Sequence, residues 1–197
     1  MKWVCSSCSA LNLEFRYSCY DCGVTNPLVG NRAPSEIVRQ GKYECGAAAL
    51  AILLGHTLFN VKSVLGEYGW RNDYQGVSES QLRACARAFG RDLVWCNTAM
   101  VKAMKKLPDS ILTLESLNYK KRYHGVAYFK GEVIDPNFGD EARKYWFADA
   151  DVEKMPIKGA SVITKTPLSD FEFHEIERLR KSKHNYTAVD LVMEVAG

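Results

Sequence analysis

Two Cys-x-x-Cys pairs, Cys5/Cys8 and Cys19/Cys22, stand ten residues apart within the first 22 residues of the chain. So short a segment buries too little apolar surface to hold itself together, and small units of this kind need a cross-link or a metal. A Cys-x-x-Cys turn brings two thiolates onto one ion. Two such turns complete a tetrahedral site of four sulfurs, the arrangement that Zn(II) favours. Two disulfides or a redox pair are the competing uses of these residues. The first residues lack the long apolar stretch of a secretory signal, and the cysteines number seven, so a framework that pairs every thiol is excluded. The pattern predicts one structural Zn(II) held by Cys5, Cys8, Cys19 and Cys22. Four thiolates leave no coordination position open for chemistry.

The 197 residues are 47% apolar and 25% charged, which excludes a disordered chain and fits one domain with a small appendage. The longest apolar run, Ala47 to Leu54, falls far short of the ~20 residues needed to cross a bilayer. The net charge of +3 is too small to mark a nucleic-acid binder. Without a signal or a span, and with unpaired thiols, a reducing cytoplasmic setting is expected. Gly, Pro and Asn punctuate the stretch after Cys22. The expected organisation is a zinc finger over 1–28, a linker over 29–36, a main domain over 37–166 and a C-terminal helical extension over 167–197.

Within the main domain, Glu44 to Gly55 reads as a buried Ala- and Leu-rich helix. Ser78 to Gly90 reads as an amphipathic helix with Ser78 as cap and Gln81 three residues on. Thr98 to Leu107 reads as a helix ended by Pro108. Strands are predicted over 92–97, 111–115, 123–129, 132–134, 144–147 and 161–164, with a hairpin turn at Lys130-Gly131. Leu168 to His184 reads as a helix capped by Ser169 or Asp170. Helices followed by antiparallel strands predict an α+β domain.

Cys45 stands where a polar loop, Gln40-Gly-Lys-Tyr-Glu44, runs into the apolar helix. A helix N-terminus carries partial positive charge and free N–H groups, and both favour a thiolate. Gly46 is read as leaving room beside the sulfur for a substrate backbone. A thiolate nucleophile needs a base, and there are four histidines. His56 follows the other end of the same helix, roughly 16 Å away. His174 and His184 fall in the charged tail and are read as solvated. His124, at the start of a strand, remains. Pairing Phe129 with Glu132 puts His124 opposite Asn137 and diagonal to Asp135. Either side chain could orient the imidazole.

The order Gln40…Glu44-Cys45-Gly46-x-Ala48-x-Leu50, Gly76-Val77-Ser78, His124-Gly125-Val126, Val133-Ile134-Asp135-Pro136 resembles the bacteriocin-processing, double-glycine leader peptidases. These are papain-like cysteine proteases, and the similarity runs from about Ile37 to Ile163. The resemblance implies a papain-like domain of helices packed on an antiparallel sheet. It implies Cys45 as nucleophile, His124 as general base and acid, Asp135 as orienter and Gln40 as side-chain donor to the oxyanion. It also implies cleavage after Gly-Gly in a narrow cleft. Gly125 is a departure, since bulkier residues are common there. Trp3-x-Cys5-x-x-Cys8-x3-Asn12-x6-Cys19-x-x-Cys22 resembles the Ran-binding-protein or NZF type of zinc finger. Members of that family bind ubiquitin or single-stranded RNA. Ser9 and Ala10 stand where the ubiquitin binders carry Thr-Phe, and Phe15 and Arg16 are the candidates for stacking on RNA bases.

The sequence thus predicts a cysteine peptidase acting on a peptide or isopeptide bond, with a finger that recruits a protein or peptide substrate. Ubiquitin-like modifiers, which end in Gly-Gly, are one such substrate class. Two other readings fit the same residues: a retired binding module whose finger holds RNA or a ubiquitin-like protein, and an acyl- or amidotransferase. Cys85 and Cys96 are expected to be core thiols. Trp70, Trp95 and Trp146 are expected to be packing anchors, and the basic run Glu177–Lys183 a solvated helix face.

Overall fold

Apolar residues on both sides of most strands require a sheet covered on both faces, and the computed structural model has that form. It describes residues 2–4, 11–13, 43–71, 75–116, 122–135, 155–182 and 185–197. Near the N-terminus, β1 (Lys2–Val4) pairs antiparallel with β2 (Leu11–Leu13), Trp3 lying across from Asn12. The four N-terminal cysteines, the linker, Gln40, Asn137, Trp146, His184, Phe15, Arg16 and the strand expected over 144–147 lie outside the described residues.

The main sheet is fully antiparallel, in the order β3 (Leu93–Asn97), β7 (Ile157–Ile163), β4 (Ser110–Glu115), β5 (Tyr123–Phe129), β6 (Glu132–Ile134). Alternation sorts its side chains into two cores. Leu93, Ile111, Ala127 and Ile163 face α1 (Cys45–Leu54), α2 (Leu58–Glu67) and α3 (Glu79–Ala88). Val94, Leu112, Val126 and Val162 face α4 (Thr98–Ala103), α5 (Asp170–Lys181) and α6 (Asn185–Ala196). The architecture is α+β, helices on an antiparallel sheet. Residues 167–197 carry α5 and α6, which close the second face of the sheet.

Helix α1 is apolar all round and is buried from Gly46 to Leu53, as such a helix must be. Gly55 ends it in the left-handed region, at φ 66°. Both arms of the α3 capping box form, between Ser78 and Gln81. The β5–β6 turn places Lys130 and Gly131 at φ 51° and 90°, and the register runs from Phe129↔Glu132 to Ala127↔Ile134. Helix α4 ends at Ala103 rather than Leu107. Pro108 closes the α region to Leu107, and β4 begins only two residues later, so the chain leaves the helix early.

Asp92 locks the C-terminal helices to the rest. Its carboxylate is fully buried and accepts Arg83 Nε at 2.7 Å and Nη2 at 3.1 Å, Arg87 Nη1 at 3.0 Å, and the backbone N–H groups of Leu93 and Leu168. Every lone pair of a buried charge is thereby occupied. Among the described residues no single helix is long and apolar enough to cross a membrane.

Candidate active site

Three elements meet at one end of the sheet. Cys45 is the first residue of α1, His124 lies near the start of β5, and Asp135 directly follows β6. His124 and Asp135 are buried polar side chains, 7% and 9% exposed. Asp135 Oδ1 lies 2.9 Å from His124 Nε2. The hairpin register explains the pairing, because the residue after Ile134 stands diagonal to His124, as the sequence predicts.

The other side of the imidazole meets Cys45. Burial pushes the Cys45 thiol up, but a hydrogen bond with His124, the backbone N–H of Gly125, the charge of His124 and the backbone N–H of Gly46 outweigh it, so the thiol ionises below its ordinary value. Burial likewise pushes His124 down, while its hydrogen bonds to Asp135 and Cys45 and their charges raise it to about 9. The two shifts both move the pair toward thiolate and imidazolium. Cys85 and Cys96 behave in the opposite way. Both are buried core thiols, and burial pushes each up to about 12.

A contact between two glycines sets the spacing of α1 and β5. A Cβ built on Gly125 would lie 3.4 Å from Gly46 Cα and N and 3.5 Å from Ile111 Cγ2. The departure at Gly125 thus has a cause, since a side chain larger than alanine there would push the helix off the strand. Gly46 lies between β5 and α3. A Cβ on it would meet Leu82 of α3 and Val77 at 3.5–3.9 Å, ordinary contact, while its backbone faces Gly125 of β5.

The remaining histidines stand apart. The His56 ring packs 4.4 Å from that of Phe89 beyond the far end of α1, and His174 is exposed on α5. Trp70 is a buried anchor, and Trp95 lies over Gly159, whose added Cβ would come within 2.3 Å of the indole. Arg178 and Arg180 on α5 pair with Glu175 and Glu177 on their own helix. Among the described residues no cluster of His, Cys, Asp or Glu could hold a metal ion. Two features of this region escaped the sequence. One is α2, whose signal was Thr57 as cap with apolar residues at 58, 61, 64 and 65. The other is Lys62 on α2, which forms an ion pair with Glu44, the neighbour of Cys45.

No model of a known protein family matches the chain, and a comparison with curated proteins finds no match. Among solved structures, it is similar to a double-glycine-motif protease from an AMS/PCAT transporter, solved in complex with the leader peptide. The two are 20% identical, and the match covers 71% of this chain and 96% of that one at a TM-score of 0.44.

Proposed function

We propose that this chain is a papain-like cysteine peptidase that cleaves a peptide or isopeptide bond after Gly-Gly. The observation that supports it most is the relay of the half-buried Cys45 with the buried His124 and Asp135, the thiol pKa lowered and the imidazole pKa raised. In this reading the Cys45 thiolate attacks the carbonyl carbon, and the C=O electron pair moves onto oxygen. The Cys45 backbone N–H and the Gln40 side chain hold the oxyanion. The His124 imidazolium then protonates the leaving amine as the C–N bond breaks, leaving a thioester. Neutral His124 next takes a proton from water, whose oxygen attacks the thioester and restores the thiolate. Asp135 holds Nε2 throughout and keeps the opposite ring nitrogen aimed at sulfur.

The first 28 residues are proposed to bind one Zn(II) through Cys5, Cys8, Cys19 and Cys22 and to recruit the substrate protein. The donor set, four thiolates in two Cys-x-x-Cys pairs, suits that ion. Metal analysis of Cys19→Ser beside wild type tests this, and undiminished zinc refutes it.

For the peptidase itself, the test is a thiol-directed electrophilic probe, followed by incubation with peptides and ubiquitin-like proteins carrying Gly-Gly and mass spectrometry of the products. Labelling at Cys45 that Cys45→Ala abolishes, with new C-termini at Gly-Gly, is the expected result. An unlabelled wild type leaves the retired binding module as the reading. Products joined to an amine instead of water assign a transferase.

A further inference from the structure

The hairpin that carries His124 and Asp135 at one end lines a cavity at the other. Strand β5 starts beside the candidate site and reaches Phe129 roughly 20 Å further on. There a cavity of about 630 Å³ opens between the β5–β6 turn, the approach to β4, the end of β7 and the last turns of α1 and α6. A volume of this size suits a small molecule. Four cations line it: Arg91, Lys106, Lys130 and Lys165. The acidic side chain among them is Asp109. Counting the backbone end at Gly197 as a second negative charge still leaves four positive charges against two negative ones. Among the described residues, none of the four cations pairs with an Asp or Glu side chain, whereas Arg83, Arg87, Lys158 and Arg178 all do. Like charges brought together repel, and the walls of a cleft focus the field they make.

Two of the four cations are held in place. Arg91 Nη1 donates to the backbone oxygens of Thr164 at 3.3 Å and Lys165 at 3.1 Å, which leaves its Nε and Nη2 groups to donate into the cavity. Lys130 stands at φ 51°, in a hairpin-turn position that Asn, Asp or Gly ordinarily fills. Asp109 Oδ1 accepts the Lys130 backbone N–H at 2.7 Å and fixes the turn to the chain entering β4. The Lys130 ammonium lies 5.0 Å from the centre of the Phe129 ring. Lys165 Nζ donates to the backbone oxygen of Gly197. We infer that this cavity is a binding site for a small polyphosphate anion, either free or as the polyphosphate group of a nucleotide. Phosphate oxygens accept from guanidinium and ammonium groups alike and carry several negative charges in a small volume, which matches four cations around one cavity. A single carboxylate would leave most of that charge uncompensated. The apolar wall of Leu53, Phe129 and Met193 offers a surface to a nucleotide ring. The site is separate from Cys45 and stands whether or not Cys45 is a nucleophile.

Binding is measured by isothermal titration calorimetry on the full chain, with sodium tripolyphosphate and with ATP, at about 50 mM and about 500 mM salt. One saturable site per chain is expected, weaker at the higher salt. Lys106→Gln and Lys130→Gln each lose about tenfold in affinity, the size of one charge-assisted hydrogen bond. Lys181→Gln, which removes an exposed cation of α5 outside the cavity, leaves affinity unchanged. Asp109→Asn keeps an oxygen for the Lys130 N–H, removes the negative side chain from the cavity and tightens binding several-fold. Damage to the fold does not tighten binding, so this variant carries the test even where a lysine variant is unstable. An affinity for ATP above that for tripolyphosphate assigns a nucleotide, and equal affinities assign the inorganic anion. No saturable binding of either probe, a loss in Lys181→Gln equal to that in the other two lysine variants, or an Asp109→Asn that binds no more tightly than wild type overturns the inference.

Discussion

The Gly46–Gly125 contact makes a graded prediction. An alanine at 125 places its methyl 3.4 Å from the Gly46 backbone and 3.5 Å from Ile111, which is ordinary contact. Gly125→Ala is therefore expected to fold normally and keep thiol reactivity within about threefold of wild type. Valine adds two methyl groups about 1.5 Å further out, into space already held by α1 on one side and Ile111 on the other. Overpacking of this kind costs about 1–3 kcal/mol, and α1 must retreat by roughly an ångström. That shift stretches the Cys45–His124 hydrogen bond, and a misplacement of ~1 Å costs about a hundredfold in rate. The assay is the alkylation rate of Cys45 at pH 6.5, beside urea unfolding. Gly125→Val should lose about a hundredfold in rate while remaining folded. A folded Gly125→Val that reacts like wild type refutes the claim that this contact holds thiol and imidazole together.

The pH profile of kcat/KM should be bell-shaped: it rises as Cys45 deprotonates below its ordinary value of 9.0, and falls as His124 loses its proton near 9. Asp135→Asn removes the hydrogen bond and charge that raise His124, so the alkaline limb moves to lower pH and turnover drops by about a hundredfold or more; an unmoved limb would separate Asp135 from the relay. Asp92→Ala strands the N–H groups of Leu93 and Leu168 and two arginines, and should cost about 3–5 kcal/mol in urea unfolding, whereas a loss under about 1 kcal/mol contradicts the buried-hub account. Gly159→Ala drives a methyl into the Trp95 indole and should destabilise the β3–β7 pair by about 1–3 kcal/mol; an unchanged melting curve would show that the indole moves aside freely.

The parts of this molecule written in local chemistry were legible. The β5–β6 hairpin was readable to the residue, because two alternating runs flank a Lys-Gly pair suited to positive φ. The α3 capping box was readable because both of its arms lie within four residues. Where local signals were weak, the reading failed. Helix α2 is interrupted by Asn60 and Gly66 and was missed, while α6 fell within the helical extension expected over 167–197 but without bounds of its own. The first half of β7 was missed because Gly159 weakens a strand on its own terms and is explained only by Trp95 across the ladder.

The amino-acid sequence by itself determined the chemistry available at the site: a thiol at a helix start, a histidine at a strand start and a carboxylate after a hairpin. Local periodicity and turn geometry were enough to put Asp135 diagonal to His124. Only the tertiary structure decided that α1 lies against β5, since that packing rests on two glycines and an isoleucine far apart in the chain. Tertiary structure also decided the ionisation of the pair, because burial and the hydrogen bonds that offset it exist only once helix and sheet meet. Lys62 belongs to the same class, a lysine in an overlooked helix that meets Glu44 only once α2 packs beside α1.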